Sequence, residues 1–330
     1  MNIDKLQQTW LIPKPWRLHP IAQGVNNQTQ VVETPTGRFI LRAYGSDRSL
    51  EHIRYELEVL RVLQGKILPF QVPSPVPTAN SEPFAILDGT VTTLTRWLSG
   101  SIPSGDNLQQ ALTAGQSLAE LVDVLADIQM NTSSQISPFP PSGDFDGWAG
   151  VPIDPVQTIK DLPLTKEDKK RILTLLEETQ AVTIPLYQTL PQQIIHRDYD
   201  QSNILMNGNS VTGVLDFEFC GYDLRILDLT YALSKWPAGL WGTGKEWEVL
   251  DYFGRGYLKR QKILSEELEA IPSVLRLRAI TSLFFRFGRY AQGLETQEDM
   301  FEQIQEKLKD EAWLQTNEMK LLQHARNWRA

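Results

Sequence analysis

The chain has 330 residues, 41% of them hydrophobic, and can bury a large core as one large or two moderate domains. A formal net charge of −8 and a pI near 5.2 exclude the basic field that holds a nucleic acid. The lone cysteine, Cys220, excludes an intrachain disulfide; no signal-peptide pattern opens the chain and no stretch approaches the roughly 18 apolar residues of a membrane span, so a cytoplasmic protein without a membrane partner is expected.

From Gly24 to about Leu98 the segments are short and β-branched or mixed, broken by PTG (35–37), PFQVPSPVPTANSEP (69–83) and DGT (88–90). This predicts a small sheet. In the strand RFILRAY (38–44), Phe39, Leu41 and Ala43 share one face, Ile40 and Arg42 the other. One helix is inserted, SLEHIRYELEVLRVLQG (49–65), with Ser49 as cap, Ile53, Leu57, Leu60 and Leu63 at helical spacing, and Gly65 as its end. Beyond Leu98 helices are predicted over 106–130, 165–181, 227–236, 244–260, 265–293 in pieces, and 297–328. The Pro- and Gly-rich stretch 137–155 reads as a surface loop, with a lid as the second reading. The division expected is a strand-rich part, 1–97, and a larger helical part, 98–330.

The chemistry concentrates in IIHRDYDQSNILMNGNSVTGVLDFEF (194–219). Ile204–Met206 form a strand, Asn207-Gly208 a turn signal, and Val214-Leu215 begin the return; a loop from Gly208 to Val211 would set Asn203 opposite Asp216. Two oxygen-bearing side chains at one end of a hairpin suit magnesium, which takes few protein ligands and completes its octahedron with phosphate and water. Asp198, on the preceding loop, is placed to accept a proton from an attacking hydroxyl. The alternative, that Asp198, Asn203 and Asp216 only cap a tight hairpin, is disfavoured because apolar residues flank all three and unpartnered buried carboxylates are costly.

HRDYDQSN followed by VLDFEF resembles the catalytic loop and metal segment of the protein-kinase-like fold. It is more similar to the small-molecule branch, the aminoglycoside phosphotransferase and choline kinase superfamily. The resemblance implies an α+β, two-lobed architecture: a small antiparallel-sheet N-terminal lobe with one helix that binds nucleotide (1–97), and a larger, mainly helical catalytic and substrate-binding lobe (98–330). It implies ATP and Mg2+ as cofactors and a small hydroxylated substrate. Carried over by residue, it makes Asp198 the catalytic base, His196 a structural member of the loop, Asn203 and Asp216 magnesium ligands, and Glu218 a further metal or water-bridged contact. Only nine residues separate Glu218 from Asp228, too few for a segment that docks a peptide. Asp228 is expected to cap the next helix and brace the loop.

On the nucleotide side, GVNNQTQVV (24–32) resembles the family's first strand and turn, where Gly24 permits close backbone approach and Asn26 or Asn27 tightens the turn. No lysine occurs between Lys14 and Lys66, so a cation on this sheet must be an arginine. Arg42 stands where the family places Lys or Arg, and Glu56 matches its partner acid. The resemblance also implies that backbone groups of TLTRWLSG (93–100) meet the adenine.

Residues 252–293 have a looser similarity to homoserine kinase type II-like phosphotransferases. The resemblance implies a small amino-alcohol acceptor for this chain: homoserine, choline or ethanolamine, or an aminoglycoside-like compound. Asp223 and Arg225 are candidates for an amine and a carboxylate, or parts of a surface loop. The tryptophans of WPAGLWGTGKEW (236–247) read as core packing before an aromatic box. Other readings are a compact Ser/Thr protein kinase, a silent nucleotide-binding module, and a metal-dependent hydrolase, the last disfavoured because His19, His52 and His324 lack ligand spacing. Nothing in the residues signals an oligomeric state.

Overall fold

A computed structural model describes residues 3–21, 27–45, 48–128, 139–237 and 239–329. Gly24 and Asn26 lie outside the described residues, as do 137 and 138 of the proline-rich stretch. Among the described residues, those up to Ile102 with Asn203–Glu218 form one compact unit. Pro103–Asp127, Phe139–Ser202 and the residues from Phe219 onward form the other. No helix among them is long and apolar enough to cross a membrane.

The first unit carries α1 (Ile3–Thr9), β1 (Arg17–Pro20), β2 (Asn27–Thr34), β3 (Gly37–Tyr44), α2 (Leu50–Gln64), β4 (Ala85–Leu87) and β5 (Thr90–Arg96). The strands form an antiparallel sheet in the order β1-β2-β3-β5-β4. Alternation in β3 holds: Phe39, Leu41 and Ala43 are buried, and Arg42 points to the other face, in register with Thr29 and Thr93. Ser49 caps α2 by accepting from the His52 N–H at 3.3 Å. The unit therefore holds two helices where one was expected. The added one, α1, exists because Leu6 and the adjoining Trp10, both fully buried, fill the sheet core beside Trp16, Val32, Phe39, Leu41 and Leu94.

The second unit contains α3 (Leu108–Ala126), α4 (Phe145–Ala149), α5 (Pro155–Asp161), α6 (Lys166–Thr189) and β6 (Gln192–Ile195). Within Asn203–Glu218, in the first unit, lie β7 (Ile204–Asn207) and β8 (Ser210–Val214). The second unit resumes with β9 (Gly221–Leu224), α7 (Ile226–Lys235), α8 (Glu246–Leu258), α9 (Ser265–Glu269), α10 (Ile271–Ala291) and α11 (Gln297–Asn327). Helix α6 runs eight residues past the predicted end at 181 and contains Pro185, because Thr183 and Leu186 continue its buried face. Helices α3 and α8 touch backbone to backbone: a Cβ on Gly115 would stand 2.1 Å from the Phe253 carbonyl oxygen, and one on Gly256 2.0 Å from that of Leu112.

The stretch from residue 139 to 154 is not a loose surface loop. Phe139, Phe145 and Trp148 are buried, Trp148 stacks on Phe139 with centroids 5.2 Å apart, and Ser142 binds Asp223. Its three aromatics anchor it, and the prolines and glycines turn the chain between them.

Candidate active site

Three carboxylates of the first unit converge on Arg42. Its guanidinium donates to Glu56 at 3.1 Å, to Asp216 at 3.3 Å and to Glu218 at 2.6 Å. The expected Arg42–Glu56 pair is present, and two acids from the far end of the hairpin join it. The other oxygen of Glu218 accepts from Arg48 at 3.3 Å, and Asn27 donates to Glu218 at 2.8 Å while accepting from the Gly45 N–H at 3.3 Å. Both carboxylate oxygens of Glu218 thus hold protein donors. Burial alone would lower Arg42, but Glu56, Asp216 and Glu218 hold it well above the usual arginine value. Glu56 is pushed up to about 7 by burial, with Asp216 and Glu218 adding to the rise and Arg42 opposing it.

The hairpin register differs from the expectation by one residue. Pairs Asn207↔Ser210 and Met206↔Val211 enclose a two-residue turn, the register then shifts, and Ile204 pairs with Val214. Thr212 is the extra residue, its hydroxyl donating to the Ser99 carbonyl at 2.7 Å, and Leu215 rather than Asp216 stands opposite Asn203, donating to its carbonyl at 2.8 Å. Asp216 follows with a left-handed φ of 58°, a conformation Asp tolerates better than most residues. The hairpin is pinned by Gln71, whose N–H donates to Thr212 and whose carbonyl accepts from Val214, each at 3.0 Å.

The donor set fits magnesium. Asp216 and Glu218 present carboxylate oxygens, the hard donors magnesium takes, with the Arg42 and Arg48 guanidiniums beside them and Glu56 behind Arg42. Asp216 is the most exposed of the acids, its side chain 34% accessible against 6% and 5% for Glu56 and Glu218. Among the described residues no three His, Cys, Asp or Glu side chains form a metal cage of their own.

The loop His196–Asp198 belongs to the helical unit and is held differently. Asp228, fully buried, accepts the backbone N–H groups of His196 at 2.8 Å and Arg197 at 2.6 Å. Burial raises Asp228 above the usual carboxylate range, while His196, those two N–H groups and Arg197 pull it down. Arg197 has a left-handed φ of 66°, a costly backbone state that this double anchor sustains. Asp228 braces the loop as expected, but it does not cap the helix: α7 begins at Ile226, with Arg225 at the cap position. His196 is fully buried, and its Nδ1 accepts the Asp198 N–H at 3.2 Å, a structural placement. Asp198 itself is half-buried and accepts from the Tyr231 hydroxyl at 2.8 Å.

Asp223 and Arg225 are not placed to meet a substrate. Asp223 is fully buried and holds Arg197 at 3.0 Å, Ser142 at 2.7 Å and the Tyr187 hydroxyl; Arg225 is clamped by Glu267. Both acquire their partners from segments distant in sequence. The tryptophans also disperse into packing: Trp236 is fully buried against Phe253, and Trp241 and Trp247 pack on Trp313. Sequence reasoning missed Arg48 and Tyr231. Tyr231 was recoverable, since three residues after Asp228 it shares that residue's face of α7; Arg48 carries no local signal.

The chain is similar over most of its length to several known proteins. A model of the phosphotransferase enzyme family matches residues 17–271. The homoserine kinase of Nitrobacter winogradskyi is 28% identical over 272 residues, covering 81% of this chain and 77% of that protein. Among solved structures, amicoumacin kinase hAmiN in complex with AMP-PNP, Ca2+ and Ami has a TM-score of 0.70 at 15% identity, covering 94% of this chain and 92% of its own. A microcompartment-associated aminopropanol kinase has a TM-score of 0.61 at 18% identity, covering 92% and 94%. With an α+β, kinase-like fold and a family match over most of its length, the chain belongs to the phosphotransferase enzyme family and is a small-molecule kinase acting on an alcohol group.

Proposed function

We propose that the protein transfers the terminal phosphoryl group of ATP, with magnesium, to the hydroxyl of a small amino-alcohol-type metabolite, homoserine being the first to test. Residues 1–97 serve the nucleotide and residues 98–330 catalysis and the acceptor. Asp198 accepts the acceptor's hydroxyl proton as its oxygen bonds to the γ-phosphorus; the bridging P–O bond breaks and ADP leaves. His196 and Asp228 keep the loop in place, and Tyr231 orients the carboxylate. Asn203 and Asp216 would hold magnesium, which when bound neutralises phosphate charge, with Glu218 as a further contact through water or through its arginines. Arg42, set by Glu56 and Glu218, faces the nucleotide's phosphates, and Gly24 and Asn27 are assigned to the nucleotide with it. The observation that carries the reading is the anchored His196–Asp198 loop together with a cluster of three acids and two arginines.

The test is incubation with Mg-ATP and homoserine, choline, ethanolamine, aminoglycosides and protein substrates, following ADP release and phosphorylated product. Transfer to a small acceptor is expected. Label appearing in protein, or no transfer to any small acceptor, would overturn the reading.

A further inference from the structure

The helical unit contains a cavity of about 500 Å³ bordered by α7, α10 and α11. Tyr231 lines it, and the hydroxyl of Tyr231 donates to Asp198 at 2.8 Å. The cavity thus begins one side chain from the group assigned to take the acceptor's proton. Five cations line it, Lys235, Arg276, Arg278, Lys307 and Lys309, against three acids, Glu306, Asp310 and Glu311. That is a local surplus of positive charge in a chain whose net charge is −8.

Pairing sorts these charges. Arg276 is held by Glu311 and Glu318, each at 2.9 Å. Lys307 is held by Glu306 at 3.3 Å and Asp310 at 3.9 Å, and burial, with Lys235 adding to it, draws its ammonium below the usual lysine value. Arg278 and Lys235 are in no ion pair among the described residues. Both lie against Tyr231: the guanidinium carbon of Arg278 is 4.9 Å from the ring centroid and the Lys235 nitrogen 5.9 Å. The Nε of Arg278 is buried without a hydrogen-bond partner. A buried donor of this kind is costly unless a ligand supplies the acceptor.

We infer that this cavity seats the acceptor, and that Arg278, with Lys235 beside it, receives a carboxylate at the end remote from the reacting hydroxyl. Resting on the phosphotransferase reading above, this makes the acceptor a short hydroxy acid or hydroxy amino acid, not a purely cationic amino alcohol. The Tyr231 ring bridges the two ends, its hydroxyl on Asp198 and its face under Arg278. The competing occupant is a quaternary ammonium resting on Trp241 and Trp313, which also line the cavity.

Calorimetric binding in the presence of Mg2+ and a non-hydrolysable ATP analogue separates the two without requiring turnover. The ligands are L-homoserine, L-serine, 4-hydroxybutyrate, the amide of homoserine, in which a neutral carboxamide replaces the carboxylate, and choline. In the wild-type protein at least one carboxylate-bearing ligand is expected to bind, with homoserine roughly 10–100-fold tighter than its amide, the range for a hydrogen bond to a charged group. Arg278→Gln should bring homoserine to the level of the amide and leave the amide unchanged, and Arg278→Lys should recover part of the difference. Equal affinity for acid and amide, tighter binding of choline, no binding of any carboxylate, or a preference unaltered in Arg278→Gln would each overturn the inference. Phosphorylation of any small acceptor in those cases would leave the phosphotransferase reading standing.

Discussion

The two clusters that carry the candidate site are built from opposite materials. Around Arg42, charged side chains from β3, α2 and the segment after β8 pair with one another, and Asn27 of β2 adds a neutral donor. Around Asp228, a single carboxylate is satisfied by backbone N–H groups and fixes a strained loop. Ion pairs among side chains can be exchanged for a nucleotide's phosphates and a cation, because the new partners carry matching charge and the side chains move as rotamers. Backbone N–H groups have no such freedom. The first cluster is therefore the adjustable part of the molecule and the second the rigid part.

Removing the rigid anchor should have the largest effect. Asp228→Ala leaves two buried N–H groups unpartnered at about 1–3 kcal/mol each, so unfolding should become easier by roughly 2–6 kcal/mol. Denaturant titration checks this; a loss under 1 kcal/mol would show that the loop is held by something else. In the adjustable cluster the effect should fall on ligand, not fold. Asp216→Ala should weaken Mg-ATP binding by roughly 10–100-fold, the scale of losses at metal sites, with nucleotide binding in the absence of magnesium little changed. Normal Mg-ATP affinity by calorimetry would remove Asp216 from the metal site.

A further effect concerns pH. Glu56 titrates at about 7 in the folded protein against an ordinary value of 4.5, so between these pH values the native state binds more protons than the unfolded one. Stability from this group is then full below 4.5 and declines as pH rises through the window to about 7. Glu56→Gln should flatten that part of the Tm-against-pH curve, and an unaltered slope would assign the dependence to other groups.

What the residues revealed in advance follows the same division. Local features were legible: the capped helix α2, the alternation of β3, the spacing from His196 to Asp216, and the pairing of Arg42 with Glu56. Features set by contacts distant in sequence were not. The register of the hairpin turned on Thr212, whose partner Ser99 is 113 positions away. Asp223 looked available until Ser142, Tyr187 and Arg197 closed on it. The proline-rich segment looked loose because its composition favours turns, yet three aromatics at 139, 145 and 148 found core positions. Arg278 stands in a helix like many other arginines, and only the cavity distinguishes it.

The central claim is that Asp198 accepts the proton of the attacking hydroxyl. Single-turnover phosphoryl transfer by Asp198→Asn, with Mg-ATP affinity measured on the same preparation, tests it most directly. Transfer should fall by about 10²–10⁴-fold while affinity stays at the wild-type level. Undiminished transfer would contradict the role given to Asp198.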